Sequence, residues 1–272
     1  MSEDEVERQD GEVRRKSPAN EERLAVKFEQ LRAKMARSTE ERLRLHEEHE
    51  ALRRSYYLSG IGKKIDISTL PDFSVVAKQV IADGRIGMNF DRLYTLWQAV
   101  TGAPRTFPMV EVGSYQGGSS KFIAETLRQA GRSPRFYVCD TFQGHARLDP
   151  AIDGVHSDDG FKDTSAEGVA EYLSGYPNVE LVVGDIFETS KRLTSEPGFG
   201  FVHIDVDVHP ATDFCLRFFS SRLAPGAMMI VDDYGVVTCP GAQKAVDDFI
   251  TANPEFRRLH LLSGQAAIFR AG

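Results

Sequence analysis

Between residues 91 and 272, short apolar runs alternate with longer stretches whose apolar positions recur every three or four residues. The runs are 108–113 (PMVEVG), 136–140 (FYVCD), 179–184 (VELVVG), 201–205 (FVHID) and 228–232 (MMIVD), rich in Val and Ile and too short for helices. Amphipathic segments lie near 119–130, 165–174, 210–222 and 241–252. Strands alternating with helices predict an α/β fold with a parallel sheet covered on both faces. The final stretch, RRLHLLSGQAAIFR, has two apolar runs flanking Ser263-Gly264 and predicts a terminal hairpin with an antiparallel strand. Ahead of the first run, Leu93, Leu96, Trp97 and Val100 form a helical stripe that stops near Gly102 and Pro104.

Residues 56–90 carry Tyr56, Tyr57, Gly60, Gly62, Pro71 and Gly84 among short apolar stretches, as expected of a lid or linker packed against the main domain. Residues 1–55 differ again, with 14 acidic and 13 basic residues, one glycine (Gly11) and one aromatic (Phe28), so they cannot build a core. Leu24, Leu31, Leu45 and Leu52 follow a seven-residue spacing broken at Ser38. Phe28, Met35, Arg42, His49 and Tyr56 take the alternating positions. This seam suits a coiled coil and a homo-oligomer; because Ser38 and Arg42 interrupt it, a solvated single helix is the other reading. His46 and His49 lack metal-ligand spacing and read as surface residues. The expected organisation is a charged helical or coiled-coil extension (1–55), a linker or lid (56–90) and a main domain (91–272).

Composition narrows the function. The 272 residues include 17 Phe and 8 Tyr, enough for a sizeable core and against wholesale disorder. Net charge is -7, which argues against a nucleic-acid partner bound by phosphate neutralisation. Cys139, Cys215 and Cys239 are odd in number and far apart, so neither a disulfide framework nor a cysteine zinc site is expected. No apolar run approaches the roughly 20 residues that cross a bilayer, and a cytoplasmic protein is expected.

In an open parallel sheet, ligands bind beyond the carboxyl ends of the strands. Here each run closes on acid or glycine. The first continues as EVGSYQGGSS (111–120), a glycine-rich turn feeding a helix. Its spacing of Gly113, Gly117 and Gly118 is not the dinucleotide fingerprint, and Glu111 would repel a pyrophosphate, so a phosphate-free, cationic cofactor is easier to accommodate. Asp140, at the second tip, suits the two hydroxyls of a ribose. Gly184-Asp185-Ile186, at the third, offers an acid and an apolar side chain where an adenine would lie. Each acid alone is more readily a helix N-cap or a solvated loop carboxylate. On successive tips they point to S-adenosylmethionine, with contacts expected from Glu111, Gly113, Ser119, Asp140, Thr141, Phe142, Asp185 and Ile186.

The fourth and fifth tips read His203-Ile-Asp205-Val-Asp207-Val-His209 and Val231-Asp232-Asp233-Tyr234-Gly235. Neighbouring tips bring Asp205, Asp232 and Asp233 close, and three carboxylates so placed repel one another unless a cation joins them. Mg²⁺, which takes a few hard oxygens plus waters, resolves the conflict. Joint ligation requires the strand to end before the Asp232-Asp233 pair; otherwise one of the two caps the following loop. His203 reads as a hydrogen-bonded core residue. His209, ahead of Pro210, is either a base facing substrate or a loop residue, and Asp207 either caps the next helix or supports the metal from behind. The 145–164 stretch, with His145 and His156, reads as a variable loop over the acceptor. Thr164 and Glu167 fit a capping box.

The segments EVGSYQGGSS, CDTFQGH, DTSAEGVAEYL, VHIDVDVHPATDFCLRFFSSRLAPGAMMIVDDYG and CPGAQKAVDDF together resemble the macrocin O-methyltransferase family. These are class I S-adenosylmethionine enzymes that methylate sugar hydroxyls on macrolide and aminocoumarin natural products. The resemblance covers roughly residues 85–272. It implies the Rossmann-like, doubly wound seven-stranded class I methyltransferase fold, Mg²⁺ at Asp205, Asp232 and Asp233, and cofactor contacts at Glu111, Gly113, Asp140 and Asp185. The expected activity is methyl transfer to a hydroxyl of a sugar, glycan or glycosylated small molecule, with Asp205 catalytic and His209 the alternative base. A non-catalytic S-adenosylmethionine-binding scaffold and a metal-dependent hydroxylase of related fold share these features. The scaffold has no need to cluster three acids.

Overall fold

A computed structural model describes residues 70–154, 156 and 160–271 of the chain. The heptad-bearing extension, His46, His49 and residues 56–69 lie outside the described residues. The elements run α1 (Pro71–Ala82), α2 (Phe90–Gly102), β1 (Met109–Val112), α3 (Gly118–Gln129), β2 (Phe136–Asp140), α4 (Ala166–Tyr172), β3 (Val179–Val183), α5 (Ile186–Thr189), β4 (Phe199–Ile204), α6 (His209–Ser220), β5 (Leu223–Val231), α7 (Pro240–Ala252), β6 (Phe256–His260) and β7 (Ala266–Arg270). All five apolar runs are strands and all four amphipathic segments are helices. The seven strands form one sheet in the order β3-β2-β1-β4-β5-β7-β6. The first five run parallel, and β7 is antiparallel to both β5 and β6. This is the Rossmann-like class I methyltransferase fold.

Register levels the strand tips. Val112 pairs with Cys139 and with Ile204, Cys139 with Val182, and Ile204 with Val231. Gly113, Asp140, Asp205 and Asp232 therefore stand in one row along the carboxyl edge, with Gly184 one residue beyond the Val183 that pairs with Asp140. Strand order reverses between β1 and β4, the place where such sheets open a crevice.

Helices cover both faces, each with its own apolar cluster. On one side Phe73, Phe90, Leu93, Leu96 and Phe122 are fully buried, and on the other Phe199, Leu216, Phe219 and Phe249. Each buried phenylalanine contributes about 2–3 kcal/mol. Within residues 56–90, Pro71 opens a true helix whose Phe73, Val76, Ala77 and Val80 are buried at three- and four-residue spacing. The Phe73 ring meets Phe90, Tyr94, Trp97 and Phe122 edge-on, so α1 belongs to the core of the sheet's first face. The cap of α4 also departs from expectation by one residue. Ser165, not Thr164, is the N-cap and accepts the Gly168 amide, while Thr164 Oγ1 donates to the Tyr115 carbonyl. Among the described residues, no helix is long and apolar enough to cross a membrane.

Candidate active site

A cavity of about 380 Å³ opens along the row of strand tips. Gly113, Ser119, Asp140, Thr141, Asp185, Ile186, Asp205, Asp232 and Asp233 all line it. Gly113 is where the two halves of the row touch. Its φ is +89°, and a Cβ there would lie 1.7 Å from the Asp205 carbonyl oxygen, so no other residue fits without moving β4. Tyr115 and Asp207, both lining residues, hold φ of 50° and 60°, a conformation non-glycine residues rarely adopt.

On the β1–β3 side, backbone amides fix the acids. Asp140 Oδ2 accepts the amides of Ser114 (2.7 Å) and Tyr115 (2.8 Å), and Oδ1 accepts that of Phe142 (2.6 Å). The carboxylate is thereby oriented with lone pairs still open to a diol. Asp185 caps α5 through the Phe187 amide (3.0 Å), and its other oxygen faces Arg147 Nε at 3.3 Å. Thr141 Oγ1 donates to the Gly144 carbonyl at 2.7 Å and holds the turn after β2 closed.

Two expected cofactor contacts face elsewhere. Glu111 lies within β1, one pleat before the tip, and its carboxylate is fully buried, accepting the Ser120 hydroxyl and lying 2.8 Å from His203 Nδ1. Phe142 gives its amide to Asp140, but its ring packs into the core of the first face. Neither lines the cavity.

On the β4–β5 side, the acids face one another. Ligand oxygens of Asp205, Asp232 and Asp233 lie within 4.8 Å of each other. Strand β5 ends at Val231, which frees both members of the Asp232-Asp233 pair to turn inward. Asp232 accepts Gln265 Nε2 at 2.6 Å and a short hydrogen bond from Arg92, whose same nitrogen also reaches Asp233 Oδ1 at 3.2 Å. His203 Nε2 stands 3.5 Å from Asp232 Oδ1, an ion-pair contact longer than a good hydrogen bond. His203 is thus the core residue its sequence position suggests, clamped between Glu111 and Asp232. Asp205 accepts no hydrogen bond among the described residues.

Titration follows this arrangement. Burial pushes Asp205 well above the usual carboxylate range, and the charges of Asp232 and Asp233 add to it. Burial and then the Asp233 charge raise Asp207 to about 8. Asp232 moves the other way: burial opposes ionisation, but His203 and the Arg92 guanidinium outweigh it and hold the carboxylate low. For His203, burial favours the neutral ring, yet its contacts with Asp232 and Glu111 lift it to about 9. An all-oxygen set, mutually repelling and with one carboxylate unbonded, matches the donor chemistry of Mg²⁺.

Arg92 and Gln265 hold the aspartate cluster and are absent from the sequence-based expectation. Arg92 sits one turn before Leu96 on the inward stripe of α2, which is the one available signal; Gln265 follows the hairpin turn and gave none. Asp207 does not cap α6, whose N-cap is Val208, and instead turns toward His145 and Cys239. His209 does not line the cavity; its amide donates to Asp153 Oδ1 at 3.0 Å and ties the β2–α4 loop to α6.

Residues 110–234 match the model of a methyltransferase domain family. Over 154 residues the chain is 29% identical to the 8-demethyl-8-(2,3-dimethoxy-alpha-L-rhamnosyl)-tetracenomycin-C 4'-O-methyltransferase of Streptomyces olivaceus, covering 52% of this chain and 57% of that protein. The match thus spans little more than half the length of that relative. Among solved structures, the O-methyltransferase NovP is similar with a TM-score of 0.59 at 21% identity, covering 68% of this chain and 81% of its own. The calicheamicin methyltransferase CalS11 is similar with a TM-score of 0.55 at 18% identity, covering 77% and 95%. The likeness to these structures is one of fold, and it places the cavity at the carboxyl edge of a class I methyltransferase sheet.

Proposed function

We propose that this methyltransferase domain moves a methyl group from S-adenosylmethionine to a hydroxyl of a sugar or glycosylated small molecule, with Mg²⁺ held by Asp205, Asp232 and Asp233. The observation that carries the reading is the three-aspartate cluster opening onto the same cavity as Asp140 and Asp185. When bound, S-adenosylmethionine supplies an electrophilic methyl group, and Mg²⁺ acidifies and orients a hydroxyl.

The chain's own residues supply the rest. Asp140, fixed by three amides, holds the ribose hydroxyls, and Asp185 with Ile186 borders the adenine. Gly113 lets the β1 tip approach the Asp205 backbone closely, which brings the two halves of the cavity together. Asp205, whose carboxylate is free of other hydrogen bonds among the described residues and faces the cavity, takes up the proton that the acceptor oxygen releases as it attacks the methyl carbon in line and displaces the sulfonium sulfur. The opposite wall is aromatic: Tyr115 and His145 meet Phe161 edge-on at 5.4 and 5.5 Å, a surface suited to the apolar face of a sugar ring. The name of the Streptomyces relative, with its rhamnosyl acceptor, supports the same substrate class.

The test is methyl transfer from labelled S-adenosylmethionine to a panel of rhamnosylated and other glycosylated acceptors, with Mg²⁺ and with chelator. Asp205→Asn is expected to lower kcat by about 10³-fold, within the range of general-base catalysis, at unchanged cofactor Kd. Activity within threefold of the unmutated protein, or full activity in chelator, overturns the reading.

A further inference from the structure

The loop between β2 and α4 brings two histidines to the same strand tip. His145 Nε2 lies 3.9 Å from Asp207 Oδ2, and the His145 and His156 rings meet edge-to-face at 5.1 Å. One ligand atom from each of His145, His156 and Asp207 falls within 4.8 Å of the other two. The proposed methyl transfer uses neither histidine as a base or a cofactor ligand.

We propose that His145, His156 and Asp207 form a second metal site, distinct from the three-aspartate cluster and selective for a first-row transition ion such as Zn²⁺.

Three independent features carry it. The first is donor chemistry: two imidazoles and one carboxylate suit Zn²⁺, whereas the neighbouring all-oxygen set suits Mg²⁺. The second is an unmet need, since His156 Nε2 is buried with no hydrogen-bond partner among the described residues, an arrangement that costs stability unless something occupies the nitrogen. The third is support from behind, because the Cys239 thiol donates to the other Asp207 oxygen at 3.6 Å and orients the carboxylate toward the histidines. Ligand atoms around a zinc ion stand roughly 3–3.5 Å apart, so side-chain rotation of about an ångström completes the site. Charge favours it as well, since Asp205, Asp207, Asp232 and Asp233 crowd one end of the cavity against Arg92 and His203. An ion here ties the β2–α4 loop to the β4 tip and fixes the wall that faces the acceptor.

The test measures Zn²⁺ binding to the full chain by equilibrium dialysis with Mg²⁺ in large excess, so that the three-aspartate cluster is saturated. One equivalent of Zn²⁺ is expected, weakened at least tenfold in each of His145→Ala and His156→Ala and retained in Asp232→Asn. To keep the test independent of folding in the variants, Co²⁺ is added to the unmutated protein in parallel; shifted imidazole N–H resonances are expected in its proton spectrum. No Zn²⁺ equivalent under Mg²⁺, unchanged affinity in both histidine variants, loss in Asp232→Asn alone, or no shifted imidazole resonances overturns the proposal. Mg²⁺ titration of His156→Ala reads the three-aspartate cluster separately, so failure there counts against the methyl-transfer reading and not against this one.

Discussion

The two halves of the strand-tip row solve the problem of holding acids in opposite ways. Beyond β2 and β3, backbone amides orient the carboxylates, three on Asp140 and one on Asp185, and no like charge faces them among the described residues. Beyond β4 and β5, four carboxylates face one another, and the compensating charge comes from Arg92 and His203 on other elements. The first half is preorganised to receive a hydrogen-bonding ligand at little reorganisation cost. The second is under electrostatic tension that a cation relieves. Ligand affinity should therefore depend on single contacts in the first half and on net charge in the second.

The change that breaks both halves together is Gly113→Ala. The new Cβ would overlap the Asp205 carbonyl, and alanine resists a φ of +89°. We expect a loss of about 4 kcal/mol in denaturant unfolding, with cofactor and metal binding both impaired. A loss below 1 kcal/mol would mean that the halves are not coupled through this contact.

The tension in the second half has a pH signature, read in chelator. His203, raised to about 9 from an ordinary value near 6.5, stabilises the fold fully below pH 6.5 and ceases to as the pH passes 9. Asp207, raised to about 8, acts in the same direction, since the folded chain holds its proton over a range where the unfolded chain has released it. Stability is expected to fall steadily between pH 6 and 9.5 as both groups lose their protons, and less steeply with Mg²⁺ present. A flat profile in chelator would remove the distinction between the halves.

The two halves also differed in how far the sequence revealed them. Periodicity located all five parallel strands and the hairpin, because a buried strand needs a short Val- and Ile-rich run and little else competes for that pattern. Once the tips were known, Asp140, Asp185, Asp205, Asp232 and Asp233 followed from where each run stopped. Glu111 does not line the cavity because it sits one residue inside β1, where the pleat turns its side chain toward His203. Phe142 reaches the tip through its amide alone, because its ring packs into the core of the first face. Arg92 and Gln265 come from α2 and the hairpin, elements brought to β5 by tertiary packing that no local pattern records. Helix α1 was missed for a similar reason: its stripe of Phe73, Val76, Ala77 and Val80 is short and preceded by proline, so it reads as punctuation until the core it fills is known.

Arg92 offers a smaller perturbation that isolates the second half. Arg92→Met keeps much of the side-chain volume on α2 and leaves Asp232 and Asp233 without their guanidinium. Chelated protein should lose about 2 kcal/mol, discounted from a fully buried pair because Arg92 is partly exposed. Added Mg²⁺ should recover most of that loss, and apparent Mg²⁺ affinity should rise, since the ion no longer competes with a fixed positive charge. Unchanged Mg²⁺ affinity would show that Arg92 and the ion do not share these carboxylates.

The smallest effect lies in the first half and tests whether its acids work as hydrogen-bonding groups rather than as charges. Asp185 both caps α5 and borders the adenine end of the cavity. Asparagine retains the oxygen that accepts the Phe187 amide, so Asp185→Asn should leave stability within 0.5 kcal/mol, whereas Asp185→Ala should cost about 1 kcal/mol through the lost cap. If neutral hydrogen bonding governs this half, Asp185→Asn should weaken S-adenosylmethionine by only about fivefold, near 1 kcal/mol, with little salt dependence. A hundredfold loss that shrinks at high salt would instead show the charge itself at work, and the first half would then obey the same rule as the second.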